Sequence, residues 1–439
     1  MTADRLFVPE VLLDGRNVRA DWAVLVQDGR IRGLGPRAEL TAAHPGVERE
    51  DLPRHLLVPG AVNAHSHSFQ SLLRGLGDDQ PFMEWRTYLY QYLPTLDEEG
   101  VYVGALFAFG EMLLRGTTTV CDFFYLHHGD NARALAVARA ARELGIRLVL
   151  VRGMMDWAVA PPAFRETPAL AVENGRALAS RLQGEPLCSV IPAPHSPHGA
   201  SSEMVQAGAR LAEEWGTPWH IHVAEAPYEG EATRAQHGLN PLAWMQSLGA
   251  LDERLRIVHG TWLEDDEIAA LGQARGGLIH CPGSNLFLGD GIAPIRKYVA
   301  AGVPIALGCD SGSANSRLSI FGEMRLAATL QKGLAGSSGV LGAAEAFRMG
   351  TEAGARASGQ LVGRLAVGCH ADLVAIDLDD LSMQPPHRLL RNVVYSLEPT
   401  AISHVFVGGQ CVVRNGRLVR VARESILAGV ARVTDGWAA

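Results

Sequence analysis

Eight short apolar runs recur along the middle of this chain, and most are separated by stretches with helical spacing. The runs are "HLLVPGAVNAH" (55–65), "TTTVCDF" (117–123), "RLVLVRG" (147–153), "LCSVIPAPH" (187–195), "PWHIHVAE" (218–225), "LRIVHG" (255–260), "GLIHCPGS" (277–284) and "VPIALGCD" (303–310). Unbroken Val, Ile and Leu mark strands buried on both faces, as in parallel sheets. Parallel strands need long crossovers, usually helices. The intervening "NARALAVARAARELG" (131–145) and "SSEMVQAGARLAEEWG" (201–216) suit that role, the second opening on Ser and closing on Gly. Eight βα units predict a closed, distorted (β/α)8 barrel. The competing open, doubly wound sheet would want a Gly-rich loop after its first strand, which this chain lacks.

The two ends read differently. "WAVLVQDGRIRGLG" (22–35) alternates around an Asp28-Gly29 turn, and "ADLVAIDL" (371–378) reads as a strand. "SHVFVGGQCVVRNGRLVRV" (403–421) reads as three strands separated by Gly408-Gly409 and Asn415-Gly416. Both ends are therefore turn-punctuated β structure.

A net charge of −8 supplies no basic surface for nucleic acid or membrane, leaving a small molecule as the expected partner. The first residues lack the basic and apolar pattern of a signal peptide, and no run reaches the roughly 18 apolar residues of a membrane span. Six scattered cysteines without C-x-x-C read as reduced thiols, which suits a cytoplasmic protein.

Barrel chemistry gathers at the C-terminal ends of the strands. There this sequence places His65 and His67, His195, His222 with Glu225, His259 and Asp310, where a packed core would want Val or Ile. Side chains alternate along a strand, so His65 and His67 share a face and Ser66 opposes them. Imidazole nitrogens and a carboxylate with room for water suit one divalent metal, zinc first, with Fe²⁺ or Mn²⁺ also compatible. The fourth strand ends in His195 and carries no lysine that would bridge two ions. His220 reads as core or support.

The ordered motifs "PGAVNAHSH", "HVAE", "VHG", "CPGSNLFLGDGIAP" and "ALGCDS" resemble the amidohydrolase superfamily, in its deaminase and aminohydrolase branch. The resemblance implies a small β-sandwich built from residues 1–57 and 366–439 beside a catalytic barrel of 58–365. It implies His65, His67, His222 and Asp310 as metal ligands, Glu225 and His259 as catalytic groups, and a homo-oligomer, taken as a dimer. The chemistry expected is addition of metal-activated water to a carbon doubly bonded to nitrogen, with ammonia released. Asp310 can accept the first proton, Glu225 can protonate that nitrogen and then relay a proton to the departing amine, and His259 can polarise the attacked carbon or stabilise the tetrahedral intermediate.

Gln70, Trp85-Arg86, Tyr125 and His127-His128 resemble formimidoylglutamate deiminases more narrowly. That likeness implies an N-formimidoyl amino acid such as N-formimidoyl-L-glutamate, with Arg86 on a carboxylate, Gln70 and Tyr125 orienting the ligand, and His195 beside the formimino group. One departure stands out: His198 replaces the arginine that grips the second carboxylate, leaving Arg317 as the substitute. The "CPGSNLFLGDGIAP" and "FGEMR" segments instead resemble enzymes acting on rings. The alternatives are thus a heteroaromatic deaminase (purine, 8-oxoguanine, pterin, adenosine derivative or cytosine), a triazine hydrolase, or a barrel that only binds.

Overall fold

The computed structural model describes residues 4–437. Eight central strands appear in the expected order: β1 (Ala61–Ser66), β2 (Thr117–Phe124), β3 (Arg147–Met154), β4 (Cys188–Pro194), β5 (Trp219–Val223), β6 (Leu255–His259), β7 (Gly277–His280) and β8 (Ile305–Leu307). They form two four-stranded parallel sheets, β1 to β4 and β5 to β8. Every residue of β2 and β3 is buried, which accounts for their unbroken apolar character.

Each of the two seams between these half-barrels carries a backbone hydrogen bond. His222 N–H donates to the His195 carbonyl at 3.0 Å, and Asp310 N–H donates to the His65 carbonyl at 3.0 Å. The barrel is therefore distorted, as expected, and its seams close through site residues.

β7 and β8 stop short of the apolar runs that announced them. After β7 the chain turns at Cys281 into a short helix with Pro282 at its start, where a missing N–H costs nothing. After β8, a Cβ on Gly308 would lie 2.8 Å from His65 Cβ, so only glycine lets this segment approach β1. The helices at Ala132–Leu144 and Ser202–Trp215 form as expected, the second with Ser201 Oγ accepting the Met204 N–H and Gly216 left-handed.

Strands from both chain ends join in one nine-stranded sheet. Arg5–Leu13 pairs in parallel with Glu48–Pro59, which pairs antiparallel with Leu373–Asp377. Phe7, Val24, Leu57, Leu373 and Phe406 pack into a core of their own. Both central residues of the Asp28-Gly29 turn have positive φ (48° and 71°), as a type I′ hairpin requires, and Asn415-Gly416 repeats this at 51° and 68°. A buried ion pair ties sheet to barrel: Arg147 Nε and Nη2 donate to Asp372 Oδ2 and Oδ1 at 2.9 and 3.0 Å. Among the described residues no helix is long and apolar enough to cross a membrane.

Candidate metal centre and active-site pocket

The C-terminal ends of β1, β5 and β8 bring four side chains together. His65 Nε2 and His222 Nε2 lie 3.2 Å apart. Asp310 Oδ1 lies 3.7 Å from both His65 Nε2 and His67 Nε2. The His65 and His67 rings meet edge to face at 4.7 Å, the convergence expected from their spacing. Asp310 sits at φ +58° and His259 at +73°, uncommon for residues with a side chain and typical of strained functional positions.

Hydrogen bonds behind the rings decide where their lone pairs point. His67 Nδ1–H donates to the Phe123 carbonyl at 2.6 Å, and His222 Nδ1–H donates to the His195 carbonyl at 2.8 Å. Both Nε2 atoms therefore present lone pairs to the centre. Burial pushes His67 down to about 4 and His222 to about 3, and drives His65 well below its ordinary value, so the rings stay neutral. Lone pairs and a carboxylate facing one another in a buried space repel unless a cation lies between them. The three imidazoles form one group able to hold a metal ion, and Asp310, which also groups with Glu225 and His259, lies 3.7 Å from two of them; together they form a donor set that suits zinc.

A second group adjoins the first. Glu225, at the start of the loop after β5, places Oε1 3.5 Å from His259 Nε2. Asn285 Nδ2–H donates to His259 Nδ1 at 3.1 Å, so the histidine carries its proton on Nε2, facing Glu225. Burial, reinforced by the charges of Asp290, Glu229 and Asp310, holds Glu225 well above the usual carboxylate range. A protonated carboxyl here is a ready acid. Burial raises Asp310 as well, while the Ser284 Oγ–H, at 2.5 Å from Oδ2, works in the other direction.

Sequence reasoning gave no role to Ser284, Asn285, Glu229 or Asp290. Ser284 and Asn285 lie inside the quoted "CPGSNLF" segment, in the short helix just beyond strand β7. Glu229, in the first turn of the helix Pro227–His237, accepts the backbone N–H of Glu225, which precedes that helix, on its carboxylate at 3.3 Å.

The cavity above the cluster is walled by the helix α1 (Phe82–Tyr92) and by the loops after β2, β3 and β4. Gln70, Arg86, Tyr125 and His195 all line it, with Trp85, Trp157 and Phe164 as aromatic walls. Gln70 Nε2–H donates to the Tyr125 hydroxyl at 2.6 Å, which leaves the phenolic proton free to donate elsewhere. The Arg86 guanidinium lies 5.3 Å from the Tyr90 ring centre and 5.6 Å from that of Trp157. It is the single Lys or Arg among the lining residues.

Arg317 is not brought to this cavity. It lines a separate outer cavity, more than half exposed, with Glu398 at 4.0 Å. The loop after β8 leads it away toward the segment that carries Glu398. His198 does line the pocket, but burial lowers it to about 4, so it is neutral and no substitute for an arginine. His127 is buried and donates Nε2–H to the Gly153 carbonyl at 2.8 Å, a structural bond. His220 does the same toward the Ala357 carbonyl at 2.9 Å, supporting the core as expected.

Residues 56–412 match the model of the amidohydrolase family. The chain is 33% identical over 414 residues to a 5-methylthioadenosine/S-adenosylhomocysteine deaminase of Moorella thermoacetica, covering 93% of this chain and 94% of the relative. It is 32% identical to a 5'-deoxyadenosine deaminase of Methanopyrus kandleri, covering 95% and 94%. Among solved structures, an adenosine deaminase from Xanthomonas campestris with bound zinc superposes with a TM-score of 0.90 at 30% identity, covering 99% of this chain and 98% of that one. An atrazine chlorohydrolase from Arthrobacter aurescens shares the fold, with a TM-score of 0.90 at 23% identity over 98% of this chain and 99% of that one.

Proposed function

The chain belongs to the amidohydrolase family, and from that premise we propose that it deaminates an adenosine-type substrate, exchanging the amino group of a purine ring for oxygen. It is a metal-dependent hydrolase of C–N bonds. The observation that carries the finer reading is the pairing of Glu225 with His259, 3.5 Å apart, beside the His and Asp cluster in an aromatic-walled pocket. Flat aromatic walls suit a flat ring. The relatives favour this ring reading over the N-formimidoyl one. So does the pocket's charge: N-formimidoyl-L-glutamate carries two carboxylates, whereas Arg86 is the one cation lining the cavity.

In this reading His65, His67, His222 and Asp310 hold the metal. A bound divalent ion supplies Lewis acidity, lowering the pKa of water from about 15.7 toward 7. Asp310 takes the proton of the attacking water. Glu225, in its acid form, donates to the ring nitrogen beside the attacked carbon, which becomes tetrahedral. His259 Nε2–H donates to the oxygen arriving at that carbon. Glu225, left as a carboxylate, takes the remaining hydroxyl proton and passes it to the departing amine as the carbonyl forms. The proton held by Asp310 returns to Glu225, so that water and substrate become a ring carbonyl and ammonia with both carboxyl groups reset.

The test is ammonia release by zinc-loaded protein from 5'-methylthioadenosine, S-adenosylhomocysteine, 5'-deoxyadenosine and adenosine, set against N-formimidoyl-L-glutamate. Turnover on the nucleosides is expected. Turnover confined to the formimidoyl compound would overturn the reading.

A further inference from the structure

Beneath the metal centre lies a carboxylate that the chemistry above does not use. Glu323 sits in the first turn of the helix Ile320–Ala335 and is 4% exposed. Its Oε2 accepts the Gly283 N–H at 2.9 Å. Its Oε1 accepts Asn315 Nδ2–H at 2.9 Å, and the same amide group donates to the Cys309 carbonyl at 2.9 Å. Gly283 directly precedes Ser284 and Asn285, and Cys309 directly precedes Asp310. One carboxylate therefore ties together the two loops that carry the Ser284–Asp310 and Asn285–His259 hydrogen bonds.

The contact is built closely. A Cβ on Gly283 would lie 2.6 Å from both Glu323 Oε1 and Asn315 Oδ1, so glycine is required for this approach. No Lys or Arg among the described residues comes within ion-pair distance of Glu323; Arg317, which lines the same outer cavity and pairs with Glu398 at 4.0 Å, acts on it only from a distance. Burying a carboxylate without a direct ion pair is costly, and its hydrogen bonds, the helix N-terminus and the more distant Arg317 charge offset that cost. An apolar residue would fill the space more cheaply but would leave the Gly283 and Asn315 donors unpaired.

We propose that Glu323 is a positioning residue that sets Ser284 and Asn285 against Asp310 and His259 by clamping their two loops together. The inference rests on Asp310 as a metal ligand, so its test reads zinc affinity, which needs no substrate. Zinc-loaded wild type, E323A, S284A and the double variant would be titrated against a chromophoric chelator, with circular dichroism confirming the fold.

Outer groups that orient metal ligands typically change metal affinity or activity by roughly 10–100-fold, and E323A is expected to weaken zinc by such a factor. S284A should do likewise. Because both act through one hydrogen bond, the double variant should bind zinc about as well as the weaker single variant. E323Q, whose side-chain oxygen still accepts the Gly283 N–H, should recover part of the loss. On the substrate the enzyme accepts, E323A should lower kcat and leave KM near that of wild type.

Wild-type zinc affinity in folded E323A would overturn the proposal, and so would losses that multiply in the double variant. Should E323A fail to fold, the same cycle run with E323Q and S284A decides it by the same criterion. Wild-type protein that takes up no zinc would instead overturn the metal reading on which this one rests.

Discussion

The backbone N–H of Asp310 donates to the carbonyl of His65 at 3.0 Å, joining the last strand of the barrel to the first. The bond places the Asp310 carboxylate 3.7 Å from His65 Nε2. Barrel closure and the convergence of the candidate metal ligands therefore share this seam. The glycine two residues earlier, Gly308, permits the approach, and the left-handed backbone at Asp310 turns its side chain to the centre.

Backbone and side chain can be separated here by mutation. Asp310→Asn keeps the N–H, keeps the shape, and tolerates positive φ. Secondary structure and melting temperature should stay near those of wild type. Zinc affinity should fall by at least the roughly 100-fold seen when supporting groups alone are lost. Competitive chelator titration beside a thermal melt measures both, and undiminished zinc affinity would remove Asp310 from the ligand set.

Glu225→Gln tests proton transfer without disturbing the metal. The amide cannot donate and recover a proton, so kcat should drop roughly 10²–10⁴-fold, the range that a general acid–base group contributes. Zinc content should hold, because Glu225 is not among the proposed ligands. A variant with wild-type kcat would exclude the shuttle.

The eight strands were legible because a parallel strand buried on both faces needs unbroken apolar residues. A His or Asp at the end of such a run stands out against that background, and His65, His67, His222, His259 and Asp310 are singled out this way as candidates. Residues that lie off the strand period are not. The β1–β2 ladder shifts register between Asn63 and Ser66, and Ala224, His259 and Asp310 take positive φ. Each break redirects the chain in a way that period-2 reasoning does not follow. Ser284, Asn285 and Glu323 belong to a short helix and a helix start whose partners come from distant sequence. Arg317 was misplaced for the same reason: its loop was legible, its direction was not.

Arg86 offers a test of substrate charge. Its guanidinium is flanked by Tyr90 and Trp157 and has no carboxylate within ion-pair distance among the described residues. A charge-assisted hydrogen bond contributes about 1.5–3 kcal/mol. Arg86→Gln should therefore lower kcat/KM for S-adenosylhomocysteine, which carries a carboxylate, by roughly 10- to 150-fold. For 5'-methylthioadenosine, which carries none, the change should be small. Equal losses on both substrates would show that Arg86 shapes the pocket rather than binds an anion.

The Arg147–Asp372 pair, with side chains 3% and 0% exposed, joins barrel to terminal sheet, and Asp372 Oδ1 also accepts the Gly408 N–H at 2.8 Å. Asp372→Ala leaves a buried guanidinium without its partner, which typically costs about 3–5 kcal/mol. Urea unfolding should register a loss of that size, and a loss below about 1 kcal/mol, the level of an exposed pair, would mean that water reaches Arg147.

His127 links stability to pH. Its ring is buried, faces Arg152 and Glu166, and donates to the Gly153 carbonyl, and burial pushes its pKa down to about 3. In the unfolded chain it returns to about 6.5. Between those values the unfolded state binds a proton that the folded state refuses. The folded pKa is the lower one, so the stability this ring contributes is fully present above pH 6.5 and is lost as pH falls toward 3. Other buried groups titrate in the same window, so the comparison must be differential. His127→Gln keeps an N–H donor for Gly153 and does not titrate. Relative to that variant, wild type should lose about 1.4 kcal/mol per pH unit as pH falls below 6.5. Urea midpoints measured for both proteins at pH 7, 6 and 5 supply the comparison, and curves that stay parallel would mean that His127 accepts its proton in the folded protein.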